Sequence, residues 1–280
     1  MHPIKFCLFR EIVPVDTFRM DFNNCKHVLR GKGLRLQERP WETAIFKVDV
    51  YSLSFEEKPV SQNESDWLEA LKRVDAECRG KKSLVSARVS SLNSKAIECL
   101  EENGYRLMEC YLEFKHDLVD IPAESGMNRI GRFMLSEVPF MEELAATSFR
   151  YSRFHMDPRI PIADSDKSRA EWVKNACNGR ADEVFVARSS DCLVGFSACM
   201  LKDCEDLKMG ILDLIAVHPD FRSKRIGWDL TCRFLAFCRE NGCRMAKVGT
   251  QAHNHPSIRL YERIGFLVKR SFYTFHKHFH

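Results

Sequence analysis

The stretch from Asp213 to Phe266 constrains this chain more than any other. Asp213–Val217 (DLIAV) is a short apolar run of the kind a buried strand presents. His218-Pro219-Asp220 stops it, because a proline has no N–H to give to a ladder. The basic loop Arg222-Ser223-Lys224-Arg225-Ile226-Gly227 then opens directly into a predicted helix. Its apolar positions Ile226, Leu230, Phe234, Phe237 and Cys238 keep one face apolar. Gly242 suits a left-handed C-terminal cap. Met245–Gln251 reads as the next strand. Asn254 follows, with Pro256 in the first turn of a second helix that carries Ile258, Leu260, Tyr261 and Ile264 and stops at Gly265-Phe266.

A strand end followed by a loop rich in N–H groups and a helix N-terminus is an anion site, and a pyrophosphate would suit it. Taken alone, Arg222, Lys224 and Arg225 read equally well as a solvated charge run. The second block decides between them. The chain resembles the GNAT superfamily of N-acetyltransferases, whose signature is V-x-P, then (Q/R)-x-x-G-x-(G/A), a helix, a strand, and N-x-x-(A/S)-x-x-x-Y-x-x-x-G-F. Val217-His218-Pro219, Arg222 to Gly227, and Asn254, Ser257, Tyr261, Gly265 and Phe266 fill those positions. One position departs, with Arg225 standing where the family has its first loop glycine. Glycine allows close backbone approach to a phosphate; arginine there either weakens cofactor binding or replaces a backbone contact by a charge.

The 280 residues allow one large or two small domains. The formal charge of +4 is not gathered into any long run, which argues against nucleic acid as partner. Apolar stretches fall well short of the ~20 residues of a membrane span. The opening MHPIKFCLFREIV has no apolar core followed by small residues, so no secretory signal is expected. The twelve cysteines form no C-x-x-C pair, and Cys99, Cys177 and Cys238 sit on apolar faces. A reducing cytoplasm is the expected location.

Residues 1–118 form a first segment. Trp41–Tyr51 is expected to be a strand with its entry turn. Ser65 is expected to cap a helix with Trp67, Leu68, Leu71, Val74 and Cys78 on one face, and Leu84–Val89 to be a strand. An internal repeat follows: Asn93, Ile97, Glu101 and Gly104 fall on Asn254, Ile258, Glu262 and Gly265 when slid by 254 − 93 = 161 positions. Tyr111 then falls on Phe272 and Phe114 on Phe275. The first segment thus reads as a degenerate, truncated GNAT-like half without the V-x-P, the basic loop or the tyrosine. Residues 119–127 read as a connector and 128–280 as the catalytic GNAT domain of a mixed α/β fold.

In the second segment, Ile130–Leu135 suits a strand and Glu137–Phe149 a helix. The loop Tyr151–Pro161 carries two prolines that exclude regular structure, and the next helix is expected from Ser165 or Asp166 with Trp172, Val173 and Ala176 inward. Glu183–Arg188 and Cys192–Leu201 form a hairpin about Ser189-Ser190-Asp191, and Leu207–Val217 the following strand. The terminal His276-Lys277-His278-Phe279-His280 is read as a solvated strand end, and no metal is expected. The loop SRFHMDPRIP with Lys167, Trp172, Asn175 and Gly179 resembles bacterial amino-sugar acetyltransferases of the dTDP-fucosamine type.

That resemblance implies acetyl-CoA as co-substrate and direct attack by a neutral primary amine, best that of a nucleotide-linked amino sugar. Backbone N–H groups of Leu214, Ile215, Ala216 and Val217 are expected to meet the thioester oxygen. Arg222 to Gly227 would hold the pyrophosphate and Asn254 the pantetheine arm. Tyr261 is the expected general acid, its phenol protonated at neutral pH; packing against Phe266 is its other reading. For the base, Glu109 on the exit strand of the repeat is the first candidate, and His155 and Asp157 are the others. Arg153 is expected to meet a substrate phosphate. A homodimer is a further expectation. Another small-molecule or protein amine, or a fold used only to bind acyl-CoA, are the rival readings; Tyr261 and Asn254 argue against the latter.

Overall fold

The chain's last strand lies in the interior of its sheet, not at an edge. The computed structural model describes residues 27–31, 34–55, 64–190, 192–204 and 207–280. The stretch 1–13 and Asp191 of the predicted hairpin turn fall outside these. The first part holds β1 (His27–Gly31), β2 (Leu34–Glu38), α1 (Pro40–Phe46), β3 (Asp49–Phe55), α2 (Glu64–Cys78), β4 (Ser83–Ser90), α3 (Ser94–Glu102) and β5 (Arg106–His116). The second holds β6 (Arg129–Arg132), α4 (Val138–Ser148), α5 (Ile162–Asn175), β7 (Glu183–Ser189), β8 (Cys192–Cys204), β9 (Leu207–Val217), α6 (Ile226–Glu240), β10 (Met245–Gln251), α7 (His255–Ile264) and β11 (Leu267–Phe279).

Among the described residues, the strands form one 11-stranded sheet in the order β1-β2-β3-β4-β11-β5-β10-β9-β8-β7-β6. β3–β4 and β9–β10 pair in parallel, the other neighbours antiparallel. The centre is an exchange. β11, from the end of the chain, lies between β4 and β5 of the first segment, and β5 lies between β11 and β10 of the second. The registers mirror one another. Phe114 pairs with Val248 on one side and Phe275 with Ala87 on the other, and each pair maps onto the other under the 161-residue shift. α3 and α7 begin after Asn93 and Asn254, and Gly104 and Gly265 follow them in left-handed conformation (φ +77° and +104°).

α6 is buried along one face, with Ile226, Leu230, Phe234, Phe237 and Cys238 packed among Phe114, Phe185, Val248 and Tyr261. A second core joins α2 and α3 to β2–β4 and takes Phe275 from β11. The 119–127 connector and Asn128 after it are pinned to α6. Buried Asp229 accepts from Ser125 N and Oγ (2.5 and 2.7 Å) and from Asn128 Nδ2 (2.7 Å).

Four expectations are corrected. Trp41 to Phe46 is helical, because Pro40 starts a helix whose Trp41 and Ile45 turn inward one turn apart; the strand begins at Asp49. α2 starts at Glu64, one residue before the expected cap Ser65, and Leu68 faces out (37% exposed) while Ala70 takes an inward position. α5 starts at Ile162, directly after Pro161, with Ser165 buried inside it. The terminal histidines are not solvated. His276 is fully buried and its Nδ1 lies 2.9 Å from Asp157 Oδ2, while His278 Nε2 lies 2.7 Å from the same oxygen. The Pro-bounded loop packs inward here, Phe154 and Ile160 joining Val50 and Leu84.

Candidate active site

The cleft forms where two parallel strands part. β9 and β10 pair from Met209–Leu212 to Met245–Val248 and no further. Asp213 is the extra residue of a bulge between Ala198–Leu214 and Cys199–Leu212, and it bends β9 at the point of separation. Asp213 is held by Trp172 Nε1 (2.8 Å) and by Arg180. Beyond it, the β9 edge that faced β10 is released from the ladder. The cleft measures about 1360 Å³ and is lined by residues of both segments.

Most of the expected site residues meet in it: Leu214, Ile215, Ala216, Val217, Arg222, Ser223, Arg225, Ile226, Gly227, Asn254, Tyr261, Glu109 and Arg153. Three do not line it. Lys224 turns onto the Phe221 ring, 4.5 Å from its centroid. His155 is held between Ser152 Oγ (2.7 Å) and Asp166 Oδ1 (2.9 Å). Asp157 is 1% exposed and taken up by His276, His278 and Arg159, which closes it off as a base.

The loop Arg222–Gly227 holds Ser223 and Arg225 in left-handed backbone (φ +64° and +59°), so Arg225 keeps a conformation that favours glycine. Arg225 is also the N-terminal flank of α6 and makes no side-chain cap there, so the first N–H groups of α6 face the cleft mouth without one. That end, with exposed Arg222 and Arg225, suits the pyrophosphate of CoA. The opening between β9 and β10 suits an extended arm that hydrogen-bonds to released backbone. Asn254 stands beside it, its Nδ2 donating to Thr250 Oγ1 (2.9 Å).

Tyr261 lines the cleft, is 2% exposed and packs between Phe114 (5.7 Å) and Phe266 (5.8 Å). Burial, with Tyr111 nearby, pushes its phenol well above the usual range, and it stays protonated. Glu109 is 3% exposed on β5. It accepts from Arg88 (2.9 Å), Gln251 Nε2 (3.1 Å) and Thr274 Oγ1 (3.2 Å). Burial alone would raise its carboxyl, but Arg88, Arg153 and Gln251 outweigh that and hold it below the ordinary value. It is ionised at neutral pH and is a weak base. Arg153 donates to Glu42 Oε1 on α1 (3.0 Å), so its charge is already met.

Residues 140–266 match the sequence profile of the Acetyltransferase (GNAT) family. A GCN5-related N-acetyltransferase from Sphaerobacter thermophilus superimposes with a TM-score of 0.57 over 88% of this chain and 76% of its own, at 15% identity. This chain has the GNAT acetyltransferase fold. A tandem GNAT protein from the clavulanic acid biosynthesis pathway has a TM-score of 0.55 over 88% of this chain and 78% of its own, at 14% identity. The spore coat polysaccharide biosynthesis protein SpsD of Bacillus subtilis is 37% identical over 134 residues, which is 48% of this chain and 45% of that protein. The match therefore spans less than half of that relative's length. No helix among the described residues is long and apolar enough to cross a membrane.

Several residues that line the cleft escaped the sequence reading. Arg88 of β4 and Tyr111 of β5 come from the first segment; the Tyr111 ring lies so close over Gly249 that a Cβ there would meet its hydroxyl at 1.6 Å. Arg169 of α5 lies one turn before Trp172 and Val173, on the helix's inward face. An arginine in phase with an apolar face was the signal available.

Proposed function

We propose that this chain is an acetyl-CoA-dependent N-acetyltransferase acting on a primary amine of a nucleotide-linked amino sugar, of the dTDP-fucosamine type or a near variant. One observation carries it. The parting of β9 and β10, the start of α6 and the Tyr261 phenol open into a single cleft. Likeness to SpsD, whose name places it in polysaccharide biosynthesis, supports a sugar acceptor.

Bound acetyl-CoA supplies the acetyl group as a thioester. Arg222 to Gly227 and the first turn of α6 would hold its phosphates, and Asn254 its arm. N–H groups of Leu214 to Val217 on the released edge would face the thioester oxygen. Tyr261 keeps a proton at its Oη for the departing sulfur. Glu109 attracts the acceptor ammonium and orders a water through which its proton passes to bulk solvent, leaving the neutral amine to attack; a carboxylate held this low relays the proton and does not keep it. Direct transfer needs no protein nucleophile; burial raises the thiols of Cys199, Cys232 and Cys238 out of reach of ionisation. Such free thiols fit a reducing cytoplasm. The first segment, read as a GNAT-like half without its own cofactor loop, serves as the far wall of the cleft.

The test is to incubate the protein with acetyl-CoA and a panel of nucleotide-linked amino sugars, following thiol release and product mass. Acetylation of one or more supports the reading. Acetylation of simple amines or peptides in preference would redirect the acceptor, and CoA binding with no transfer to any amine would end the enzyme reading.

A further inference from the structure

The carboxylates near the inner end of the cleft each have a cation. Glu109 is held by Arg88 (2.9 Å), Glu42 by Arg153 (3.0 Å), Asp213 by Arg180, and Asp166 by Arg150 (2.6 Å). Arg169 is left over. It lines the same cleft, is only 8% exposed, and among the described residues no carboxylate or other acceptor lies within hydrogen-bond reach of it. Its Nε is sealed from solvent without a partner. Its contacts are aromatic: the guanidinium carbon lies 5.0 Å from the Trp172 ring centre and 5.7 Å from that of Phe149.

An unpaired buried charge is expensive, and natural cores pair or remove it. Arg169 stays charged nonetheless. Burial, and then Arg153 beside it, bring its guanidinium down to about 10, still well above neutral pH. The charges that act on it are Arg153, Glu109, Asp213 and Glu42, which surround the inner cleft, not the Arg222–Gly227 loop at its mouth. A planar guanidinium seated on rings has its fork already oriented for a two-oxygen anion.

We propose that Arg169 is an anion receptor in the acceptor half of the cleft: the amine acceptor carries a phosphate or carboxylate that docks on its guanidinium. This corrects the assignment of that role to Arg153, whose charge Glu42 already meets. Naming the ligand as the acceptor rests on the acetyltransferase reading. The anion subsite itself does not.

The test is calorimetry on the full chain saturated with CoA, so that the mouth of the cleft is filled. Uridine diphosphate probes a phosphate source and glucuronate a carboxylate source. At least one should bind. Arg169→Gln should weaken that probe tenfold or more, Arg169→Lys should recover part of the loss, and the affinity for CoA should stay within twofold in both. Because an unpaired charge is removed, the melting temperature of Arg169→Gln should hold or rise. Binding of neither probe by the wild type, equal binding by Arg169→Gln, or a parallel loss of CoA affinity would each overturn the subsite. Failure of CoA to bind the wild type would instead sink the acetyltransferase reading, and the probes can then be titrated without it.

Discussion

Tyr111 of β5 lies directly opposite Phe272 of β11, and the two are each other's counterparts under the 161-residue repeat. A residue paired with its own image marks a local two-fold axis. About this axis, β5 and β11 have each crossed into the other segment's half of the sheet. The hydrogen bonds that close the centre of the sheet therefore all join segments distant in sequence.

The fragment 128–280 should consequently not fold alone. It lacks β5, and with it the partner of both β10 and β11 and the buried Phe114 against Tyr261. One edge of β10 and, since β4 is missing too, both edges of β11 would be left open, a condition that favours aggregation. Near-ultraviolet dichroism and size-exclusion chromatography should find it unstructured or aggregated. Co-expression with residues 1–127 should restore a soluble complex. A monomeric, cooperatively folded fragment would contradict the exchange.

Why the exchange was not legible is instructive. The repeat itself was visible, because Asn93/Asn254 and Gly104/Gly265 are local signals of helix start and stop. Which copy's last strand pairs with which sheet is non-local, and two strands of similar pattern give no cue. The Arg222–Gly227 loop and Tyr261 were readable for the same reason that the helix caps were: proline, glycine and charge act on their own neighbourhood. Arg169 and His276 were not. Each owes its state to residues far along the chain: Asp157 meets His276, and among the described residues no carboxylate meets Arg169. Trp41 was misread because its alternating neighbours resemble a strand, while Pro40 sets a helix.

Tyr261→Phe should lower kcat by about 10²–10⁴, the usual worth of one general acid, while calorimetric CoA affinity hardly changes. The ring keeps its packing between Phe114 and Phe266, so folding is spared. Near wild-type turnover, with chemistry rate-limiting, would remove Tyr261 from the reaction.

Arg225→Gly should preserve or tighten CoA binding. Arg225 sits at φ +59°, a conformation that costs a side-chain-bearing residue roughly 1–2 kcal/mol and glycine very little. The gain is partly offset by about 0.4–1 kcal/mol of unfolded-chain entropy, so stability should rise by no more than about 1.6 kcal/mol. A tenfold loss of CoA affinity would instead make the Arg225 guanidinium a phosphate ligand in its own right.

Glu109→Gln should lower kcat across the whole range from pH 6 to 9 without moving the acidic limb of the profile. The wild-type carboxyl is held below its ordinary value, so it is already ionised throughout that range and the limb belongs to the acceptor amine. A limb that shifts in the variant would show Glu109 titrating as the base.

Acid should loosen the loop 151–161 from β11 in two stages. Burial lowers His276 below its free value, with Asp157 opposing, so the unfolded chain takes up a proton that the folded one resists. That costs stability as pH falls below about 6.5, and His155 and His116, also lowered by burial, act in the same direction. Asp157 behaves differently. Burial alone would raise it, but His276, His278 and Arg159 outweigh burial and hold it far below the usual carboxylate range. Its contribution is present above the unfolded value near ~3.9 and is lost only as pH falls below that. Melting temperature should therefore decline between pH 7 and 5.5, and again below about 4. Each unit by which His276 is lowered is worth about 1.4 kcal/mol, or roughly 2–6 °C for a chain of this size. His276→Gln should shrink the first decline and leave part of the second, because Asp157 keeps His278 and Arg159. A first decline of unchanged size in that variant would show that His276 is not the group being titrated.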